Sequence, residues 1–324
     1  MKAFETYLQL INSKIDQLQL DKTPKELYEP IAYSLKIGGK RLRPLLTILS
    51  CEMFGGQVIK ALPAAVAIEI FHNFTLVHDD IMDVAPMRRG KETVYKKWNT
   101  NIGILSGDAM LAKAFELLTE LETKHVKPVV KLLSDVAILV CEGQQLDMNY
   151  EHMENISISR YLSMIKLKTA ALVAASLKAG ALIAEAPAND CKEIFKFGES
   201  LGMAFQLQDD ILDVFGDEEK FGKKSGGDII ARKKTYLYLK ANEVARGKIK
   251  KELQYYYSKS DIDNKVKIAA VSEIYYQLGI MKYAEKEMNN YFKQAKLHLD
   301  NIKLPEKNKK KLSALAAKLM VREF

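Results

Sequence analysis

Apolar residues in this 324-residue chain recur three and four apart, and little interrupts them. Leu8, Ile11, Ile15 and Leu18 set the pattern near the start. Breaks fall at Lys22-Thr23-Pro24, Gly38-Gly39, Gly55-Gly56, Met87 to Gly90, Lys127-Pro128, Ala186-Pro187 and Phe221 to Gly227. Between them lie helical segments of roughly 15 to 30 residues, long for ordinary helices. Proline (8) and glycine (17) are both below average usage, which leaves too few turns for a many-stranded sheet. No pair of short alternating runs reads as a hairpin. The expectation is an all-α fold, a single domain over residues 1–324 built as a bundle of long helices.

The composition, 48% hydrophobic and 28% charged, excludes a disordered chain. The net charge of +8 resides in residues 241–324, and the first 240 residues balance. Its densest run is Lys303, Lys307, Lys309, Lys310, Lys311 and Lys318. This reads as a solvated helix face, or as a patch for nucleic acid or an anionic surface. No nucleic-acid-binding motif supports the second reading, so no nucleic-acid partner is expected. Cys51, Cys141 and Cys191 are far apart and odd in number, which points to a reducing compartment. The opening residues do not form a signal peptide, and no run of about 20 uninterrupted apolar residues marks a membrane span. A cytoplasmic protein is expected.

Two clusters carry the chemistry. Residues 78–84 read His-Asp-Asp-Ile-Met-Asp-Val and residues 208–214 read Gln-Asp-Asp-Ile-Leu-Asp-Val. On a helix, Asp79, Asp80 and Asp83 lie near one face, as do Asp209, Asp210 and Asp213. Like charges at these spacings repel. Set among Leu76, Val77, Ile81, Leu207, Ile211 and Leu212, they are costly unless a cation neutralises them. Hard oxygen ligands without cysteine suit magnesium, which takes one or two carboxylates and completes its shell with water and phosphate oxygens. A solvated acidic face, or charges at a helix N-terminus, is the alternative for either cluster alone.

Cations accompany the clusters. Gly38-Gly39-Lys40-Arg41-Leu42-Arg43-Pro44 is a glycine turn followed by three basic residues at a helix start. Lysine supplies a compact charge and arginine a bidentate fork for phosphate. Arg88-Arg89-Gly90 follows the first cluster. Lys168-Thr169 lies inside a helix expected over Leu162 to Ala184, and Gln206 precedes Asp209 on the same face. Phe221 to Asp228 is a glycine-rich basic loop, either a phosphate clamp or an ordinary surface loop.

Together, in this order, these motifs resemble the trans-isoprenyl diphosphate synthases, with their two Asp-Asp-x-x-Asp motifs and the Gly-Gly-Lys-Arg-x-Arg-Pro motif. The resemblance runs from about Lys36 to the C-terminus. It implies an all-α bundle around a deep central cavity, a homodimer, and head-to-tail condensation of isopentenyl diphosphate with an allylic diphosphate (dimethylallyl, geranyl or farnesyl). It implies two or three magnesium ions bound with substrate diphosphate, and Asp79, Asp83 and Asp209 as metal ligands. Asp80 and Asp210 complete the aspartate motifs.

Lys40, Arg43 and His72 match the isopentenyl diphosphate site. Of the two arginines, the resemblance gives Arg88 to the allylic diphosphate and Arg89 to isopentenyl diphosphate. Lys168 holds the allylic diphosphate at a helix kink, with Thr169 and Gln206 facing the carbocation. Lys223 and Lys233 match lysines of the segment that closes over the allylic diphosphate. Leu237 stands where the family's Lys-x-Thr-Tyr-Pro motif has proline. Phe74 and Phe71, five and eight residues before Asp79, match positions that floor the product cavity. A ring at Phe74 implies a product of fifteen or twenty carbons, with twenty favoured.

A class I terpene cyclase would lack the all-aspartate second motif and the isopentenyl site. A non-catalytic subunit would usually lose one aspartate motif. Both remain as alternatives to the synthase reading.

Overall fold

The computed structural model describes residues 4–216, 226–259 and 261–320. The fold is all-α. The chain divides into two compact units: Met1–Asp135 with Ala175–Phe195 and Ile302–Leu312, and Val136–Ala174 with Lys196–Asn301 and Ser313–Phe324.

The first unit opens with α1 (Glu5–Asp16), α2 (Lys25–Lys36), α3 (Leu42–Met53) and α4 (Val58–Met82). Helix α4 is buried nearly all round from Ala61 to Phe71, which marks a helix enclosed by others. Among the described residues it alone is long and apolar enough to cross a membrane, but 61% of its apolar window is buried inside the protein. That is the pattern of a core helix. Each fully buried side chain such as Leu45, Ile70 or Phe71 contributes about 1.5–3 kcal/mol. Helix α6 (Thr100–Leu118) runs against α4 through its glycines. A Cβ on Gly107 would meet the His78 ring at 2.2 Å, and one on Gly103 would meet Ile81 at 2.9 Å.

The basic run near the C-terminus, all but Lys303 of it in the helix Glu306–Met320, is only partly a solvated face. Lys309 is buried beside Glu306, and Lys311 donates to Glu52 at 2.7 Å and to Tyr7 at 2.6 Å. Two of the six lysines therefore fasten the helix rather than decorate it. Cys51 and Cys191 lie in the core and Cys141 is exposed.

The second unit is built around the later part of α7 (Thr123–His152), α8 (Ile158–Ile165), a π-helical turn (Lys166–Ala170), the start of α9 (Ala171–Ile183) and most of α10 (Ala188–Phe215). Its core is rich in tyrosine. Tyr238 stacks on Tyr257 with centroids 3.9 Å apart, and the Tyr257 and Tyr275 hydroxyls meet at 2.8 Å. The paired hydroxyls satisfy each other where water does not reach.

Three expectations need correction. Pro128 does not end a helix: α7 runs through it, as α2 runs through Pro30 and α4 through Pro63. Each proline is the sixth residue of its helix, so the carbonyl that loses its amide lies in the first turn, where the backbone can still tilt. The helix expected over Leu162 to Ala184 is divided by the π turn. A small hairpin also forms, pairing Met87 with Glu92 and Arg88 with Lys91. Its turn residues, Arg89 (φ 52) and Gly90 (φ 73), take the left-handed conformations that a tight two-residue hairpin requires. An arginine in the first of these positions hid the hairpin, since Asn-Gly or Asp-Gly is its usual sign.

Candidate active site

In the first unit, α4 carries the aspartate cluster at its C-terminal end, with Asp83 as the capping residue. This removes one alternative reading, since helix N-termini favour anions and C-termini repel them by roughly 0.3–1 kcal/mol per charge. Asp80 is 4% exposed and Asp79 and Asp83 are half-buried. Arg88 answers Asp80 directly, donating from Nε at 2.8 Å and pairing through Nη2 at 2.7 Å. The same Nη2 lies 3.6 Å from Asp79. Burial nevertheless pushes the Asp80 carboxyl up to about 6; Arg88 pulls it down, and Asp79 and Asp83 add to the rise.

The hairpin turn sends the two arginines to different places. Arg88 returns to the aspartates, while the Arg89 guanidinium lies against Gly39, where a Cβ would meet its Nη1 at 2.7 Å. Arg43 donates from Nη1 to Nε2 of His72 at 3.0 Å. Arginine has no acceptor, so His72 accepts and carries its own proton on Nδ1. Burial, with Arg43 and then Arg89 nearby, holds the His72 ring well below its ordinary range and keeps it neutral. Lys40 is exposed. A recess lined by Ser34, Asn73, Leu76, Asp80, Arg88 and Arg89 lies here. Phe74 stands edge-on between Phe71, at 5.5 Å, and His78, at 4.9 Å, with Phe71 in the core and Phe74 partly exposed.

In the second unit, α10 carries the other cluster, again near its C-terminal end. Asp210 is 3% exposed, and Asp209 and Asp213 are half-buried. Both oxygens of Asp210 are engaged: Tyr161 donates to Oδ2, and Gln206 Nε2 donates to Oδ1 at 3.0 Å. Burial, then the charge of Asp228, raises the Asp210 carboxyl well above the ordinary range, against the pull of those two hydrogen bonds. Thr169 Oγ1 donates to Gln206 Oε1 at 2.9 Å. A continuous run of hydrogen bonds thus ties the π turn to the cluster.

Lys168, in the same turn, donates to Asp147 Oδ2 at 2.6 Å. The turn can sit here because two glycines admit it. A Cβ on Gly143 would lie 2.4 Å from the Lys168 backbone nitrogen, and one on Gly202 would lie 2.7 Å from the Ala170 Cα. π turns inside α-helices are frequent at functional sites.

Asp213 accepts from the Asp228 amide at 2.9 Å, holding the start of the short helix Gly227–Ile230. Lys234 donates to the carbonyls of Tyr150 at 2.9 Å and Glu151 at 3.0 Å, and to that of Met153, capping the end of α7. Lys233 beside it is half-buried, its amide donating to the Asp228 carbonyl at 2.9 Å. The next helix starts at Tyr236 without the motif's proline, and Leu237 is fully buried. Lys223 lies outside the described residues.

Among the described residues, no three His, Cys, Asp or Glu side chains converge as a closed metal cage. The donors suit an oxygen-seeking cation that is finished by other ligands. Each cluster is all carboxylate, at a helix end that repels anions, with its outer aspartates half-buried. The residues missed by the sequence reading are Asp147, Tyr161 and Glu69, together with the anchoring roles of Arg41 and Lys234.

A family model described as polyprenyl synthetase matches residues 24–274. The geranylgeranyl diphosphate synthase of Methanosarcina mazei is 37% identical over 300 residues, covering 92% of this chain and 90% of the relative. The crystal structure of a geranylgeranyl pyrophosphate synthetase from Pyrococcus horikoshii superposes with a TM-score of 0.92 at 35% identity, covering 99% of this chain and 98% of the other. A polyprenyl synthase from Caulobacter crescentus, solved with calcium and isoprenyl diphosphate, gives a TM-score of 0.90 at 28% identity, covering 100% and 97%.

Proposed function

Since the chain belongs to the polyprenyl synthetase family and is a short-chain trans-prenyltransferase acting on isoprenyl diphosphates, we propose that it makes geranylgeranyl diphosphate with magnesium. The observation that carries the metal assignment is the carboxylate cluster at the C-terminal end of α4, with Asp79 and Asp83 half-buried beside the buried Asp80. Asp79 and Asp83 of the first unit, and separately Asp209 of the second, are assigned as ligands of the magnesium, two or three ions in all, with diphosphate oxygens completing the coordination. Magnesium, when bound, supplies positive charge that stabilises the departing diphosphate.

The chain's own residues do the rest. Arg88 in the first unit, and Lys168 and Lys233 in the second, are assigned to neutralise diphosphate charge, as is Lys223 by its place in the sequence. Lys40, Arg43, His72 and Arg89 hold isopentenyl diphosphate. Neutral His72 orients Arg43 by accepting its N–H. Departure of the diphosphate leaves an allylic carbocation. Gln206, its amide oriented by Thr169 and Asp210, presents a fixed dipole to that charge. The isopentenyl double bond, held about 3–3.5 Å away, attacks the cation, and a proton leaves to the released diphosphate. Water must be kept from the cation, which it would otherwise quench to an alcohol.

We assign chain length to Phe74, with Phe71 behind it. Phe74→Ala opens the floor, and its product should lengthen by at least one five-carbon unit, read by chromatography of the dephosphorylated alcohols. An unchanged product removes Phe74 from that role.

We also read residues 1–324 as one catalytic domain that works as a cytoplasmic homodimer. In support, Ile104 and Leu105 on α6 are 44% and 60% exposed, apolar side chains that a second copy would cover. Light scattering at assay concentration should give twice the chain mass; a monomer removes the dimer.

The function is tested by labelled isopentenyl diphosphate incorporation before and after chelation. Turnover should vanish with EDTA and return with magnesium. Full activity in EDTA would remove the metal assignment.

A further inference from the structure

Arg41 differs from the cations on either side of it. Its side chain is only 9% exposed, whereas Lys40 is exposed. Its backbone is left-handed, φ 48 and ψ 38, just before α3 begins. A non-glycine residue in that region is strained and persists only when its surroundings hold it there.

The guanidinium shows what holds it. Nη1 donates to Glu69 Oε1 at 2.8 Å, Nη2 to the Leu35 carbonyl at 2.7 Å, and Nε to Asn12 Oδ1 at 3.3 Å. The grip comes from α4, from the last turn of α2 and from α1. Glu69 is itself buried, and Asn73 Nδ2 donates to its carbonyl at 2.8 Å and to its Oε1 at 3.4 Å. Three residues on from Glu69, His72 takes Arg43. One helix therefore receives two arginines of the same segment, at Glu69 and at His72. Each of its three nitrogens is held by the protein, which turns the guanidinium of Arg41 away from the solvent that Lys40 faces.

We propose that Arg41 is a positioning residue for the isopentenyl diphosphate site: its buried pair with Glu69 holds the left-handed turn that sets Lys40 and Arg43. This rests on the assignment of Lys40 and Arg43 to isopentenyl diphosphate. The competing account is an ion pair that only stabilises the unit, which would not separate one substrate from the other.

Steady-state kinetics with each substrate varied, on Lys40→Ala, Arg41→Gly, Arg41→Lys and Glu69→Gln, make the test. Glycine allows the left-handed backbone and loses the grip. Lysine keeps the charge and loses the fork. Glu69→Gln keeps the shape and an acceptor oxygen while removing the charge, so it carries the test if the Arg41 variants do not fold.

Arg41→Gly and Glu69→Gln should raise KM for isopentenyl diphosphate roughly 10- to 100-fold, leaving KM for the allylic substrate within about twofold and kcat less affected. Arg41→Lys should show a smaller rise. Equal losses for both substrates, or an unchanged KM for isopentenyl diphosphate in folded Glu69→Gln, overturn the proposal. Lys40→Ala separates the two levels. If it does not raise KM for isopentenyl diphosphate, the site assignment fails and the proposal falls with it. If it does and Glu69→Gln does not, the proposal alone fails.

Discussion

Asp79→Ala should lose about 10³-fold in kcat, near 4 kcal/mol of transition-state stabilisation, while its melting temperature stays level or rises. The opposite signs follow from where the residue sits. Asp79 is four residues from Asp83 at the C-terminal end of α4, so removing its charge relieves repulsion worth a few tenths of a kcal/mol and an unfavourable dipole interaction of similar size, which together offset the loss of its 3.6 Å pairing with Arg88. Asp209→Ala on α10 should behave alike. Asp80→Ala should differ, because it strips Arg88 of its closest partner and opens a buried site, so stability should fall with activity. Kinetics and thermal melts on the three variants decide it. Near-normal turnover in folded Asp79→Ala would mean that this cluster is not the metal site.

Gly143→Ala should cost both stability and roughly 100-fold in kcat. Helix propensity alone favours alanine over glycine by about 1 kcal/mol, so the sign is set by the clash. The new Cβ would stand 2.4 Å from the Lys168 nitrogen and 2.7 Å from its Cα, backbone atoms with no side chain to swing aside. The π turn must move, taking with it the Lys168–Asp147 and Thr169–Gln206 hydrogen bonds. Overpacking costs about 1–3 kcal/mol, and a displacement near 1 Å at a positioning group can cost about 10²-fold in rate. Gln145→Ala, at an exposed position two residues on, serves as the control. A Gly143→Ala variant with unchanged kcat would show that the close approach is incidental to catalysis.

The fold class and the two aspartate clusters were legible because they are written in spacing, apolar positions three and four apart and aspartates at helical intervals, whereas the basic and aromatic candidates came from the family resemblance. What spacing left open was the division of labour within each doublet of like residues. Asp79 and Asp80 look equivalent in the sequence, as do Lys40 and Arg41, Asp209 and Asp210, and Lys233 and Lys234. The structure gives one of each of the first three pairs to the interior, and of the last pair it ties one to a helix end. Asp80 goes to Arg88, Arg41 to Glu69, Asp210 to Tyr161 and Gln206, and Lys234 to the end of α7.

For the aspartates a signal existed. Val66, Glu69, Asn73, Val77 and Asp80 continue one buried stripe at spacings of three and four, as do Met203, Leu207 and Asp210. Extending that buried helix face through the acidic motif picks out the buried member. For Arg41 and Lys234 no such rule applies. Both lie outside regular helix, and their partners, Glu69 and the α7 carbonyls, are distant in sequence. The π turn was foreseen only as a kink, since what creates it, the two glycines facing it from α7 and α10, cannot be read from Lys168-Thr169 itself.

The most direct test is one incubation of the purified protein with magnesium, labelled isopentenyl diphosphate and each allylic starter in turn, followed by dephosphorylation and chromatography of the alcohols. A predominant twenty-carbon alcohol is the predicted result. A long-chain ladder would keep the family and contradict the Phe74 floor. No incorporation by folded protein with any starter would contradict the synthase reading itself and point to a cyclase or a non-catalytic subunit.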